Sequence, residues 1–226
     1  MKKVISYSIY GNNPKYTVGL LKNLELRDTI YPEWINYVYY NNTVPQEMIE
    51  QYKTINDTEL FNMDSYNCPG MLWRLFVKDA DIVISRDSDS RLNMREKYAV
   101  DEWVESGKLL HIIRDHFHHR IEMFTGMFGM KIDKTYNLEE ICIQWCNDNN
   151  YHDVFARDID SIFVKKFLYD KYINNQMCHD SVYQNIFPNS KSFPTKMEDY
   201  RFIGEIYDEN DNRAWQYKEW INKIEL

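Results

Sequence analysis

Asp87 and Asp89 are the residues whose types and spacing most directly suggest chemistry. They flank Ser88, so an extended backbone points both carboxylates the same way. Two convergent carboxylates make a hard oxygen site suited to Mn²⁺ or Mg²⁺. Arg86 and Arg91 stand beside them and suit an anionic ligand such as a diphosphate. The pair follows Ile82-Val83-Ile84, a continuous β-branched run that predicts a buried strand. Carboxylates at the carboxyl end of such a strand lie where open α/β sheets hold their ligands. The plain alternative is a solvated acidic turn.

Other residues could join this chemistry. His179 follows the apolar pair Met177-Cys178 and is expected at a strand end. Its imidazole would suit Mn²⁺ better than Mg²⁺. Asp115 ends a second apolar run, Leu109–Ile113, where it could meet a ligand or pair with Arg114. Asp158 and Asp160 precede a predicted helix, and one of them is its N-cap. Arg74 falls one turn into a short helix, facing either the site or a surface ion pair. Gly126 in Thr125-Gly126 allows close backbone approach, or marks an ordinary turn. His116, His118 and His119 match neither a helical metal pair nor a closed zinc set, and read as a loop. Cys142 and Cys146 share a helical stripe with Leu138, Ile141 and Trp145, so packing explains them.

Positioning these groups requires regular structure, and the composition supplies it. Among 226 residues there are only 7 Gly and 6 Pro, while aromatic residues reach 15%. A net charge of −8 disfavours nonspecific nucleic-acid binding. No run approaches the ~18 apolar residues needed to span a bilayer, and the first strand has no leader-like cleavage site. The chain reads as one domain over residues 1–226, soluble and cytoplasmic.

Strand and helix signals alternate. Strands are expected at Val4–Tyr10, Trp34–Tyr40, Glu59–Met63, Ile82–Ile84, Leu109–Ile113 and Phe202–Tyr207. Helices are expected at Lys15–Arg27, Pro45–Tyr52, Pro69–Lys78, Met94–Ser106, Asn137–Asn149, Ile159–Tyr169 and Arg213–Ile224. Asn93 is a candidate N-cap and Gly107 a candidate stop. This order predicts an α/β fold: a mainly parallel mixed sheet flanked by helices on both faces.

Several blocks resemble GT-A-fold glycosyltransferases, particularly those encoded by large algal and amoebal DNA viruses and related small bacterial enzymes. They are Pro69-Gly70-Met71-Leu72-Trp73-Arg74-Leu75, Ser85-Arg86-Asp87-Ser88-Asp89-Ser90-Arg91 and His111-Ile112-Ile113-Arg114-Asp115-His116. Thr125-Gly126-Met127-Phe128-Gly129, His179-Asp180-Ser181 and Phe193-Pro194-Thr195-Lys196 complete the set. Relatives often have Gly-Gly at Thr125-Gly126, and Asp-Gln at Asp160-Ser161.

The resemblance implies a hexosyl-type, metal-dependent transferase. Its donor would be a nucleotide-sugar, with a UDP-sugar favoured, and its acceptor a glycan hydroxyl. Asp87, Asp89 and His179 would hold Mn²⁺ or Mg²⁺. Ser6, Tyr7, Tyr10 and Gly11 would bind base and ribose. Arg74, Arg86, Ser88 and Lys196 would contact the donor phosphates, Thr125-Gly126 would approach the sugar, and Asp115 and Asp160 would orient it. Two rival readings remain at this stage. A sugar-nucleotide nucleotidyltransferase would share the carboxylate chemistry, but Tyr10-Gly11-Asn12-Asn13 offers one glycine for a phosphate loop. A non-catalytic glycan-binding module would have no use for the clustered carboxylates.

Overall fold

The structure is a computed structural model and describes residues 1–214. Eight strands form one sheet in the order β3-β2-β1-β4-β6-β5-β7-β8. They are β1 (Lys3–Ile9), β2 (Ile35–Tyr40), β3 (Thr58–Asn62), β4 (Ile82–Arg86), β5 (Leu110–Arg114), β6 (Met127–Lys131), β7 (Gln176–Asp180) and β8 (Ser190–Lys191). β6 runs antiparallel to β4 and β5, and every other neighbouring pair is parallel. β6 carries no strand signal of its own. Two flanking strands supply its hydrogen bonds, and pairing rather than pattern decides it.

Side-chain alternation gives the sheet two packed faces. Ile5, Tyr7 and Ile9 of β1 join Leu20 and Leu24 of α1 (Pro14–Ile30), Met48 and Ile49 of α2 (Gln46–Lys53), and Val100 and Trp103 of α3 (Met94–Ser106). Val4, Tyr37, Val83, Leu110 and Ile112 face the other way. They meet Cys142, Trp145 and Cys146 of α4 (Leu138–Asn149) and Phe163 of α5 (Ile159–Val164). The four cysteines are free and buried, as packing residues should be. Helix ends follow the sequence signals. Asn13 accepts from the Lys15 N–H at 3.0 Å with Pro14 next in line, and Asn93 accepts from the Glu96 N–H at 2.9 Å. Gly107, at φ 76°, closes α3.

Some elements differ from expectation. The predicted helix Pro69–Lys78 is a short 3₁₀ helix, Gly70–Leu75. The predicted strand Phe202–Tyr207 is an irregular segment, because Gly204 turns the chain at φ +82°. Among the described residues, only the Tyr207–Arg213 bridge pairs there. Beyond its first two residues, the predicted helix Arg213–Ile224 lies outside the described residues. Among the described residues, no helix is long and apolar enough to cross a membrane.

The topology places a switch point between β1 and β4. From β1 the chain moves one way to β2 and β3, then crosses back to lay β4 on the other side. β1 and β4 pair in parallel from Lys3↔Ile82 to Ser6↔Ser85, so their carboxyl ends open on the same edge. Ligand crevices of α/β sheets form at such points.

Asp158 holds the N-cap position of α5 in the left-handed region, φ 62°, with no capping bond from its side chain. Asn tolerates that conformation at least as well as Asp. Asp158→Asn is therefore expected to leave the melting temperature unchanged or slightly raised. A calorimetric scan showing a fall of several degrees contradicts this account of α5.

Candidate active site

Arg74 is the centre of the site at the switch point. Its backbone is fixed by β1: Ser6 Oγ donates to its carbonyl at 2.8 Å, and its N–H donates to Ser8 Oγ at 2.9 Å. Its guanidinium is buried. Nε donates to the Met71 carbonyl at 3.1 Å, and Nη1 to the Arg86 carbonyl at 3.0 Å. Nη1 also donates to Asp87 Oδ1 at 2.6 Å, while Nη2 lies 3.6 Å from Asp160 Oδ2. Burial opposes the charge, but Asp87 and Asp160 outweigh it and raise its pKa.

The surrounding groups converge on this cation. A side chain at Gly126 would place Cβ 1.9 Å from Asp87 Oδ2, so only glycine leaves room for that carboxylate. The Thr125 carbonyl next to it accepts from Ser85 Oγ at 2.6 Å, tying the loop to β4. Asp160 Oδ1 accepts from the Ser161 N–H at 2.9 Å. Burial pushes Asp160 above the usual carboxylate range, and Arg74 opposes the shift. Tyr10 packs edge-on to Trp73 and Phe155 and covers Gly70, where a Cβ would sit 2.4 Å from its ring. Gly11 turns at φ +75° and donates its N–H to Thr43 Oγ1 at 2.7 Å.

Asp89 lies deeper than Asp87, with 12% of its side chain exposed against 43%. Its Oδ2 meets Lys15 Nζ at 2.7 Å. Burial and the nearby Asp87 charge raise its pKa, and Lys15 opposes them. The loop is held from behind. Asn23 donates to the Ser88 and Ser90 carbonyls at 3.2 and 2.8 Å, which turns Ser88 toward α1. The Tyr207 N–H donates to the Asp89 carbonyl at 2.8 Å. Arg91 and Lys22 both grip Asp211, at 2.9 and 2.6 Å, fastening the segment around Tyr207 onto the loop.

Several predicted site residues serve other purposes. Tyr7 is fully buried among Ile5 and Ile9, on the face opposite Ser6 and Ser8, and cannot reach a nucleotide. Ser6 supports Arg74 rather than a base or ribose. Arg86 lies on the α3 side of the sheet, where Nε donates to Glu96 at 2.6 Å and Nη1 to the Phe128 carbonyl at 2.8 Å. Both partners are 2% exposed, so this is an internal ion pair and not a donor contact. Breaking such a pair costs roughly 3–5 kcal/mol.

Asp115 is likewise spoken for. Arg95 grips both its oxygens at 2.9 Å, Ser181 Oγ donates to Oδ1, and the Ile203 N–H reaches Oδ2 at 3.0 Å. It has no exposed surface and joins three segments, so it is not open to a sugar. Arg114 instead pairs with Asp180 at 2.7 Å. His179 shares a hydrogen bond with His111 at 2.8 Å, and its Nε2 meets Glu102 at 3.2 Å. It lies on β7, separated from β4 by β6 and β5, and is not brought to the Asp87–Asp89 pair. Lys196 lines a separate cleft of about 750 Å³ with Arg95, Phe193 and Tyr200.

The donor set suits a divalent cation in a limited way. Among the described residues, no three His, Cys, Asp or Glu side chains could together hold a metal. Two hard carboxylates do fit a cation that completes its shell with phosphate oxygens, as Mg²⁺ commonly does. Asp87 and Asp89 also repel each other, a strain that a shared cation would relieve.

Among the partners that sequence reasoning missed are Lys15, Arg95 and Glu96. Lys15 had a signal. It stands in the first turn of α1, where the helix dipole disfavours a cation and no acidic residue offsets it.

No protein-family model matches the sequence. No curated protein matches it either. Solved structures do match the fold. The galactosyltransferase LgtC, in complex with donor and acceptor sugar analogues, aligns at TM-score 0.53 and 12% identity over 98% of this chain and 94% of that one. An active-site mutant of LgtC aligns equally well, over 100% and 95%. A fragment of Staphylococcus aureus TarS, in complex with UDP-GlcNAc, aligns at TM-score 0.50 and 14% identity over 88% and 59%. This likeness establishes the GT-A type of α/β fold.

Asp160 provides a test of the site's electrostatics. Its folded pKa is raised above 3.8, so the folded state holds the proton more readily than the unfolded chain. Stability is then lost as pH rises through the window above 3.8, and the deficit persists at neutral pH. Asp160→Asn removes it. The variant is expected to melt above wild type at pH 7, with the gain shrinking as the pH falls toward 3.8. A lower melting temperature at neutral pH contradicts the assignment.

Proposed function

We propose that this protein is a metal-dependent glycosyltransferase that passes a sugar, of hexose type, from a UDP-sugar to a glycan hydroxyl. The observation that carries the reading is the Asp87–Arg74–Asp160 bridge at the β1/β4 switch point. The fold shared with sugar transferases supports it. So does the presence among those neighbours of a complex with UDP-GlcNAc.

Each residue then has a task. Asp87 and Asp89 would hold Mn²⁺ or Mg²⁺ together with the diphosphate. When bound, the cation supplies positive charge to the departing diphosphate. Arg74 keeps Asp87 and Asp160 in fixed orientation and lends its own charge to the donor. Asp160 orients the reacting sugar, and Gly126 lets the backbone approach it. Tyr10 and Gly11 border the base and ribose. Beyond them a cleft of about 490 Å³, lined by Asn12, Asn41 and Thr43, offers amide and hydroxyl partners. The acceptor hydroxyl enters from the open side, where Asp87 is exposed.

UDP should bind about tenfold or more tightly with Mn²⁺ than with EDTA by calorimetry. Equal affinity in both conditions refutes the metal's part in donor binding. Asp89→Asn should remain folded yet lose roughly a hundredfold or more in UDP-sugar turnover, because several kcal/mol of leaving-group stabilisation go with the carboxylate. A folded variant with near wild-type turnover removes Asp89 from the mechanism.

A further inference from the structure

We infer that Lys15 is the cation Asp89 carries in the absence of metal, and that its ammonium passes to the donor's diphosphate when a divalent ion takes its place. The inference rests on the donor-site reading above. The Nζ–Oδ2 separation is 2.7 Å. The helix end itself does not favour a lysine at this position. The first turn of α1 already presents the positive end of the helix dipole. Asp89 supplies the reason: its carboxylate is mostly buried and faces the like charge of Asp87. An uncompensated buried charge is costly, and the Lys15 ammonium offsets it.

The site's two cations differ in how they are held. Arg74 is buried and anchored to the Met71 and Arg86 carbonyls as well as to the carboxylates, so it is fixed. Lys15 is 28% exposed and carried on a flexible stem, with the Tyr16 ring 4.9 Å from its Nζ. It can swing without breaking the fold. Its destination follows from its chemistry. A lysine ammonium is a compact point charge that binds phosphate well.

This arrangement makes metal and Lys15 competitors for one carboxylate oxygen. Metal alone must displace an ion pair and binds weakly. A diphosphate gives the displaced ammonium a new partner, so metal and UDP bind cooperatively, each strengthening the other equally.

The test measures Mn²⁺ binding, by the electron paramagnetic resonance of free Mn²⁺, with and without saturating UDP. Lys15→Met is expected to bind Mn²⁺ alone about tenfold more tightly than wild type, with a smaller further gain on adding UDP. Lys15→Arg retains a cation on Asp89 and should stay weak for Mn²⁺ alone. Melting temperatures confirm that both variants fold. Adding Asp89→Asn to Lys15→Met should erase the gain, which places the Mn²⁺ at this carboxylate. If Mn²⁺ binds wild type with UDP, yet binds Lys15→Met alone no more tightly than wild type, the Lys15 role is overturned and the donor site stands. If Mn²⁺ fails to bind wild type even with UDP, both are overturned.

Discussion

A buried guanidinium cannot shed its charge, so the chain must surround it with acceptors. That constraint organises the molecule around Arg74. The 3₁₀ helix supplies the Met71 carbonyl, the end of β4 supplies the Arg86 carbonyl and Asp87, and the start of α5 supplies Asp160. Two serines of β1 hold the arginine's own backbone. Satisfying one cation therefore brings four segments, distant in sequence, to one point on the sheet edge. The same requirement explains why Gly126 lacks a side chain: any Cβ there would displace the carboxylate that completes the set.

A second arginine network, around Arg95 and the buried Asp115, has a different outcome. Arg95 and Asp115 bind Ser181 and the Ile203 backbone, drawing the carboxyl ends of β5 and β7 together with the segment beyond residue 200. That segment continues to Tyr207 and Asp211, which fasten the Asp89 loop. The acidic pair is thus held from the front by cations and from behind by backbone. Asp115 resembles a catalytic carboxylate by its place at a strand end, yet its oxygens are filled by the protein itself. Position in the topology marks a residue as a candidate, and its remaining hydrogen-bonding capacity decides.

Much of this was legible in the sequence, for physical reasons. The β-branched run before Asp87, the Asn caps and the Gly107 stop are local signals, and local energies determine them. The Asp-x-Asp pair stood out by its place after a strand and Asp160 by the family resemblance, and the structure brings Arg74, Asp87, Gly126 and Asp160 together. The failures involve partners chosen across the fold. Arg86 and Asp87 are adjacent, but pleating sends the first to Glu96 in the α3 layer and the second to the open edge. His179 reads as a strand-end ligand until its partners, His111 and Glu102, are known. β6 was invisible because its stability comes from β4 and β5 on either side. Sequence alone shows which groups are present, but not which of them are already occupied.

The central claim is that nucleotide donor and divalent cation meet at the carboxyl ends of β1 and β4. Anomalous diffraction at the manganese edge, from crystals grown with UDP and Mn²⁺, tests it most directly. The account predicts a single strong anomalous peak within coordination distance of the Asp89 carboxylate and of a diphosphate oxygen, with the base beyond Tyr10 and Gly11. A metal bound elsewhere, or UDP seated away from the switch point with Asp89 still paired to Lys15, would contradict it.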